Sequence, residues 1–274
     1  MILSKRLQAV ADLLTKTEII PCVADVGTDH GYIPIYMVEQ GVCKDAIAMD
    51  IRKGPLERAV EHIREHHLEE YIETRLSDGL AALKENEAQA IVIAGMGGAT
   101  MQGILEAEKH AINHETVLVL QPQSEVEEFR YYLKGQGYEL LAEDMVYEDG
   151  KFYPMMKVCK RAVGRVANHE CSQSETEQGR FQIDAEQVHL QETGWEQPGD
   201  TAEYRKLCMM YGPMLLSRKH PVLQEFLHWQ HGQKQKILEN LKQNAATESG
   251  SRRVAEIEAE LAKIEQALLE YKEV

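Results

Sequence analysis

Over the first 160 residues, five short apolar runs alternate with amphipathic stretches, and a turn signal follows each run. The runs are Ile19–Val26, Asp45–Ile51, Ile72–Ser77, Ala90–Ala94 and Thr116–Gln121. Strand-length apolar runs separated by helical periodicity predict a parallel sheet covered by helices. One intervening helix opens at Gly54-Pro55-Leu56, with proline in the first turn, where its missing N–H is harmless, and Leu56, Ala59, Val60 and Ile63 recur at helical spacing. Arg130–Gly137 ends another helix at glycine. Two β-rich runs then follow in succession, Tyr138–Tyr147 and Phe152–Lys160, and the Asp149-Gly150 pair between them predicts a hairpin. The first 162 residues therefore form one α/β domain, Rossmann-like, with parallel strands closed by an antiparallel hairpin.

Beyond it the composition changes twice. Residues 163–202 are polar, poorest in core-forming residues around Gln173–Gly179, and read as a linker or insertion. Residues 203–274 turn helical. A break at Tyr211-Gly212-Pro213 precedes a long helix from about Pro221 to Gln243, and a polar stretch over Asn244–Ser251 leads into a last helix. Val254, Ile257, Leu261, Ile264, Leu268 and Tyr271 on that helix follow alternating steps of 3 and 4, a heptad seam. Leu223, Leu227, Gln230, Ile237 and Leu241 offer a looser partner seam, so the expected structure is an antiparallel helical hairpin with coiled-coil-like packing.

The formal net charge of −15 disfavours a chain that coats nucleic acid or anionic membrane over its whole surface, though a local basic patch still acts over roughly 8 Å at physiological salt. Met1–Leu7 is too short and too soon polar for a secretory leader, and no apolar run approaches the roughly 20 residues of a membrane span. Five scattered cysteines without a C-x-x-C pair predict reduced thiols in a cytoplasmic protein. His62, His66 and His67 sit in a charged helix and read as a solvated face; no metal is expected.

The first strand runs into Asp25-Val26-Gly27-Thr28-Asp29-His30-Gly31-Tyr32. Glycine there lets a ligand approach the backbone, and a helix starting near Tyr32 offers free N–H groups to a carboxylate. Asp25 and Asp29 suit the cationic amino group of a methionine moiety and would repel a pyrophosphate. A dinucleotide site wants G-x-G-x-x-G, and only Gly27 and Gly31 are present. Asp50, followed by Ile51, ends the second strand, where a carboxylate accepts ribose hydroxyls. Ser77-Asp78-Gly79 ends the third, where Asp78 can accept from an adenine amine and Gly79 leaves room for the ring. Ala94-Gly95-Met96-Gly97-Gly98 follows the fourth and allows close backbone approach. Each aspartate alone could be a turn or cap; three at the carboxyl ends of successive strands, where open α/β sheets bind ligands, favour S-adenosylmethionine.

Leu3-Ser4-Lys5-Arg6-Leu7, Asp25-Val26-Gly27-Thr28-Asp29-His30, Ser77-Asp78-Gly79-Leu80, Ile93–Gly98, Gln121-Pro122-Gln123 and Tyr211-Gly212-Pro213 resemble the bacterial tRNA (adenine-22-N1)-methyltransferases over almost the whole chain. The resemblance implies a Rossmann-like methyltransferase domain followed by a helical one, and methyl transfer from S-adenosylmethionine to N1 of an adenine in tRNA. Around the acceptor, the candidates are Asp29, His30, Tyr32 and Met96, with Tyr32 able to stack on the base. Ser4, Lys5 and Arg6 are candidates for reading tRNA phosphates. A methyltransferase of a small molecule or protein, and a cofactor-binding module that docks a partner through its C-terminal helices, remain the alternatives.

Overall fold

A computed structural model describes residues 1–15, 18–107, 109–160, 194–197, 199–244 and 248–272. The expected polar linker therefore lies almost wholly outside the described residues, as does Cys171. Four cysteines, Cys22, Cys43, Cys159 and Cys208, are free thiols, and burial raises the pKa of each.

The five apolar runs form β1 (Ile20–Val26), β2 (Cys43–Asp50), β3 (Ile72–Leu76), β4 (Ala90–Met96) and β5 (Val117–Pro122). With β6 (Tyr138–Glu148) and β7 (Lys151–Lys160) they make a seven-stranded sheet of order β3-β2-β1-β4-β5-β7-β6. The first five strands are parallel, and β7 runs antiparallel to both neighbours. Asp149 and Gly150 both take positive φ, 49° and 78°, as a two-residue hairpin turn demands. The sequence order reverses between β1 and β4, which opens a crevice at the carboxyl ends of the strands.

Helices α1 (Lys5–Asp12), α2 (Tyr32–Glu39), α3 (Lys53–Glu65), α4 (Gly98–Ala107) and α5 (Val126–Gly135) cover the sheet. Val10, Ile33, Ile35 and Ile63 pack with Val23, Ala48 and Val92 on one face, and Met101, Leu105, Phe129 and Leu133 pack with Ala24, Ile91 and Leu120 on the other. Consecutive residues of the central strands thus enter opposite cores, which is why these strands read as unbroken apolar runs.

The C-terminal part comprises α6 (Ala202–Tyr211), α7 (Pro213–Ser217), α8 (Pro221–Asn244) and α9 (Glu248–Leu269). Helices α8 and α9 form the expected pair, with Ile257, Leu261, Ile264 and Ala267 buried on α9 and Leu223 and Leu227 on α8. Ile237 departs from the expected seam: it is exposed, and Leu238 is the half-buried residue of that turn. The joint between α6 and α7, which leads into the pair, is moored to the sheet by a buried ion pair. Arg130 of α5 donates to Glu143 of β6 at 3.1 Å and to the carbonyls of Met209 and Met210 at 3.3 and 3.1 Å. Glu143 also accepts from the Met214 N–H at 3.0 Å, capping α7. This explains Tyr211-Gly212-Pro213. A Cβ at Gly212, whose φ is 102°, would lie 2.7 Å from both carboxylate oxygens of Glu143.

Candidate active site

The crevice at the strand ends holds a cleft of about 760 Å³. Asp25, Val26 and Gly27 of the first turn line it with Asp29 and Tyr32, joined by Asp50 and Ile51 after β2. Ser77, Asp78 and Gly79 after β3, then Ala94, Gly95 and Met96 of β4, complete the floor. Thr28, His30 and Gly97 are not among the lining residues. Thr28 turns into the protein and is fully buried, its N–H and that of Gly27 each donating to the Met49 carbonyl at 2.8 Å.

The glycines of this region serve different ends. A Cβ on Gly27, whose φ is 78°, would lie 2.2 Å from Met96 Cε, so glycine there leaves room for the flexible end of the Met96 side chain at the cleft. Gly97 and Gly98 instead make room for the chain itself: their Cβ atoms would meet Ser124 Oγ at 2.8 Å and the Glu125 carbonyl at 2.8 Å. The missing side chain of Gly79 is likewise taken up by Ile104, 3.0 Å from where a Cβ would be. Ser77 ties its own turn, donating to the Gly79 carbonyl at 2.9 Å and accepting from the Ala82 N–H at 3.0 Å.

Three carboxylates reach the cleft in distinct states. Burial, augmented by the charge of Asp50 and opposed by the nearby Thr28 hydroxyl, pushes the Asp25 carboxyl up to about 6. Asp50 is also buried, and one of its oxygens accepts from the Arg52 N–H at 2.7 Å. Asp78 is exposed. With Asp29 they make the floor acidic, and the arginines in the lining are Arg6 and Arg52. That donor set fits a ligand carrying a cationic amine, a ribose and an adenine, as S-adenosylmethionine does, and is wrong for a pyrophosphate.

At one end of the cleft His30 occupies the left-handed region, φ 63°, next to Gly31 at 70°. The conformation stacks its ring on Tyr32 and His62, with centroids 5.3 and 5.4 Å away. His62 Nδ1 lies 2.9 Å from the His30 carbonyl, while Arg58 donates to Asp29 at 3.0 Å and to His30 Nε2 at 3.2 Å. His62 is therefore half-buried behind Tyr32 and His30, which it helps to hold, and does not itself line the cleft. Arg58 escaped the sequence reading and His62 was read only as a solvated face; their signal was the four-residue step that puts both on one face of α3.

The opposite end is built by α1 and the β6–β7 hairpin. The Ser4 hydroxyl accepts from the Leu7 N–H and caps α1, and Glu148 accepts from the Lys5 N–H at 2.6 Å. Arg6 turns into the cleft, donating to Gln121 Oε1 at 3.2 Å and lying 5.5 Å from the centre of the Tyr153 ring. The same Gln121 oxygen accepts from the Gly95 N–H at 3.2 Å. Ser4 and Arg6 thus line the cleft, and Lys5 stays exposed outside it. Gln123, Glu148, Asp149 and Tyr153 of this wall were not singled out as ligand contacts from sequence. Among the described residues, no cluster of three or more His, Cys, Asp or Glu could hold a metal ion, and no helix is long and apolar enough to cross a membrane.

Residues 3–156 match a family model described as a methyltransferase domain. The chain is 40% identical to the Bacillus subtilis tRNA (adenine(22)-N(1))-methyltransferase over 154 residues, 56% of this chain and 63% of that protein's own length, just under two thirds. In three dimensions, the crystal structure of the B. subtilis m1A22 tRNA methyltransferase TrmK superposes with a TM-score of 0.73 at 30% identity, covering 97% of this chain and 98% of that one. A Streptococcus pneumoniae protein solved in complex with S-adenosyl-L-methionine gives 0.69 at 29% identity, covering 97% of this chain and all of the other. The sheet order, the hairpin and the trailing helical pair are shared over nearly the whole length, and the chain belongs to the tRNA m1A22 methyltransferase family, built on a methyltransferase domain.

Proposed function

We propose that this protein transfers a methyl group from S-adenosylmethionine to N1 of adenine 22 in tRNA, in the cytoplasm. The observation that carries the reading is the acidic cleft at the strand ends, with Asp25, Asp50 and Asp78 on successive strands, in a chain that matches a tRNA m1A22 methyltransferase from end to end. Residues 1–162 are the catalytic domain in this reading, 163–202 a connection, and 203–274 a helical domain that helps to hold tRNA.

When bound, S-adenosylmethionine would supply an electrophilic methyl group; the in-plane lone pair of adenine N1 would bond to it as the methyl–sulfur bond breaks, the pair staying on sulfur in S-adenosylhomocysteine, so no base is needed to activate N1. The chain's task is therefore binding, alignment and charge. Asp25, with Val26 and Gly27, would hold the methionine end; Asp50 with Ile51 would hold the ribose; Ser77, Asp78 and Gly79 would hold the adenine; Ala94, Gly95 and Met96 would border the transfer point, with Thr28 and Gly97 shaping the turns behind them. Asp29, His30 and Tyr32 receive the acceptor base, with Arg58 and His62 fixing their positions. Holding the two reactants in line supplies most of the acceleration. The product base is cationic, and the carboxylates of the cleft offset that charge. N1 lies on the pairing edge, so the base leaves its stack to enter. Ser4, Lys5 and Arg6 contact the RNA backbone at the far lip.

Incubating the purified protein with S-adenosylmethionine and unmodified bacterial tRNA should yield 1-methyladenosine on nucleoside mass spectrometry; no methylated nucleoside would refute the RNA substrate. In calorimetry, Asp50→Ala and Asp78→Ala should each weaken cofactor binding by about tenfold, the worth of a charge-assisted hydrogen bond. Wild-type affinity in both would refute the site assignment.

A further inference from the structure

Four aromatic rings meet where the β6–β7 hairpin touches α8. Phe152 lies 4.6 Å from Tyr147, 5.2 Å from Phe226 and 5.8 Å from Trp229 between ring centres, and Phe226 lies 6.1 Å from Trp229. Phe152 and Phe226 are half-buried and pack against the core of the C-terminal helices. Tyr147 and Trp229 are not covered: they stay 46% and 52% exposed. Two large rings are thus held in place by two half-buried ones while much of their own surface faces water.

Their position follows from the pleat. Tyr147 pairs with Phe152 across the hairpin, Val146 with Tyr153, and Glu148 with Lys151. Side chains alternate along a strand, so Tyr153 and Glu148, which line the cleft, lie on one side of the ribbon and Tyr147 and Phe152 on the other. Between the two sides lies only the tip, Asp149-Gly150, where Asp149 lines the cleft and Gly150 has no atom within 4 Å of a would-be Cβ.

Resting on the tRNA reading above, we infer that Tyr147 and Trp229 form a stacking shelf for an unpaired base flanking the target adenine. Drawing one base into the cleft unstacks its neighbours, and the chain leaving the cleft over the open tip arrives at the two rings. Stacking is the recognition chemistry this surface can offer. The protein carries a net charge of −15 and the adjacent tip is acidic, so phosphate contacts are few, whereas every base has a π-face and stacks without regard to sequence.

The chain holds two tryptophans, and the other, Trp195, is 1% exposed, so the shelf can be watched directly in the full-length protein. Unmodified tRNA should quench tryptophan emission in the wild type and in Trp195→Phe, but not in Trp229→Phe. Trp229→Ala should weaken tRNA binding by about tenfold. Its plot of log Kd against log salt should run parallel to that of the wild type, since no phosphate contact is lost, and its S-adenosylmethionine affinity should be unchanged. Wild-type protein that binds tRNA with no change in Trp229 emission overturns the shelf and leaves the tRNA reading standing, whatever the variants do. Quenching of Trp229 by rising protein concentration without RNA, with dimers in sedimentation, also overturns it and assigns the rings to a second copy. Wild-type protein that binds no tRNA removes the substrate reading itself and the shelf with it.

Discussion

Asp25 carries the sharpest electrostatic conflict in the cleft. Its carboxyl is buried beside Asp50, and its pKa of about 6 against an ordinary 3.8 means that the ligand-free fold favours the neutral acid. Such a group contributes stability that is whole below about pH 3.8 and is lost as the pH rises through about 6, an amount of about 3 kcal/mol at most. A cation bound beside it favours the carboxylate instead. Affinity for S-adenosylmethionine should therefore fall about tenfold between pH 7.5 and pH 5 in calorimetry. Asp25→Asn should flatten that dependence, bind more weakly at pH 7.5 and melt higher than the wild type without ligand at pH 8. A wild-type affinity independent of pH would remove Asp25 from contact with a cationic group. At this scale the sequence was partly legible. The cleft positions of Asp25, Asp50 and Asp78 were readable because each sits at or just beyond the carboxyl end of its strand. Arg58 and Tyr153 were not, and Arg6 and His62 were singled out only for other places, because their positions depend on how α1, α3 and the hairpin pack over the crevice, which no local pattern encodes. The three-glycine run misled in one respect: Gly97 and Gly98 make room for Ser124 and Glu125 of the protein's own loop.

Among the elements, the joint between α6 and α7 decides how the helical part is held. Arg130 and Glu143 are both fully buried, and their hydrogen bonds span α5, β6, the end of α6 and the start of α7. Burial raises the Glu143 pKa, against the opposing charge of Arg130 and the hydrogen bonds it accepts. Removing one partner strands the other, so Arg130→Met should cost about 3–5 kcal/mol in chemical denaturation. Arg130→Met combined with Glu143→Leu should recover much of that loss; a double variant no more stable than the single one would show that the backbone contacts of Arg130, and not the stranded charge, carry the effect. Strands and helices were legible to within a few residues, since periodicity records burial. The heptad seam of α9 was legible for the same reason. The seam of α8 was legible in part: Leu223 and Leu227 turn inward as expected, but farther along its polar residues leave the register open, and Leu238 rather than Ile237 turns inward.

For the molecule as a whole, the alternation of apolar runs and the closing hairpin specified the sheet, whereas the route of the chain after β7 was invisible in sequence. Lys160, the last residue of β7, pairs with Tyr138, the first of β6. When the described chain resumes, the Trp195 indole N–H donates to the carbonyl of that same Tyr138 at 2.7 Å, and Gly194 passes so close to the Leu140 carbonyl that a Cβ would lie 2.1 Å from it. The chain thus departs from and returns to a single spot on the outermost strand. The free energy of closing a loop depends only weakly on its length, by about 0.6 kcal/mol for each doubling. Replacing residues 163–192 with a short Gly-Ser bridge should leave the melting temperature within a few degrees of the wild type and cofactor affinity unchanged; a collapse of either would show that the segment itself packs on the fold. Anchored in this way, the site beside Tyr138 is a natural port. An engineer can splice in a reporter or an affinity handle there without disturbing the distance between the cleft and the helical pair.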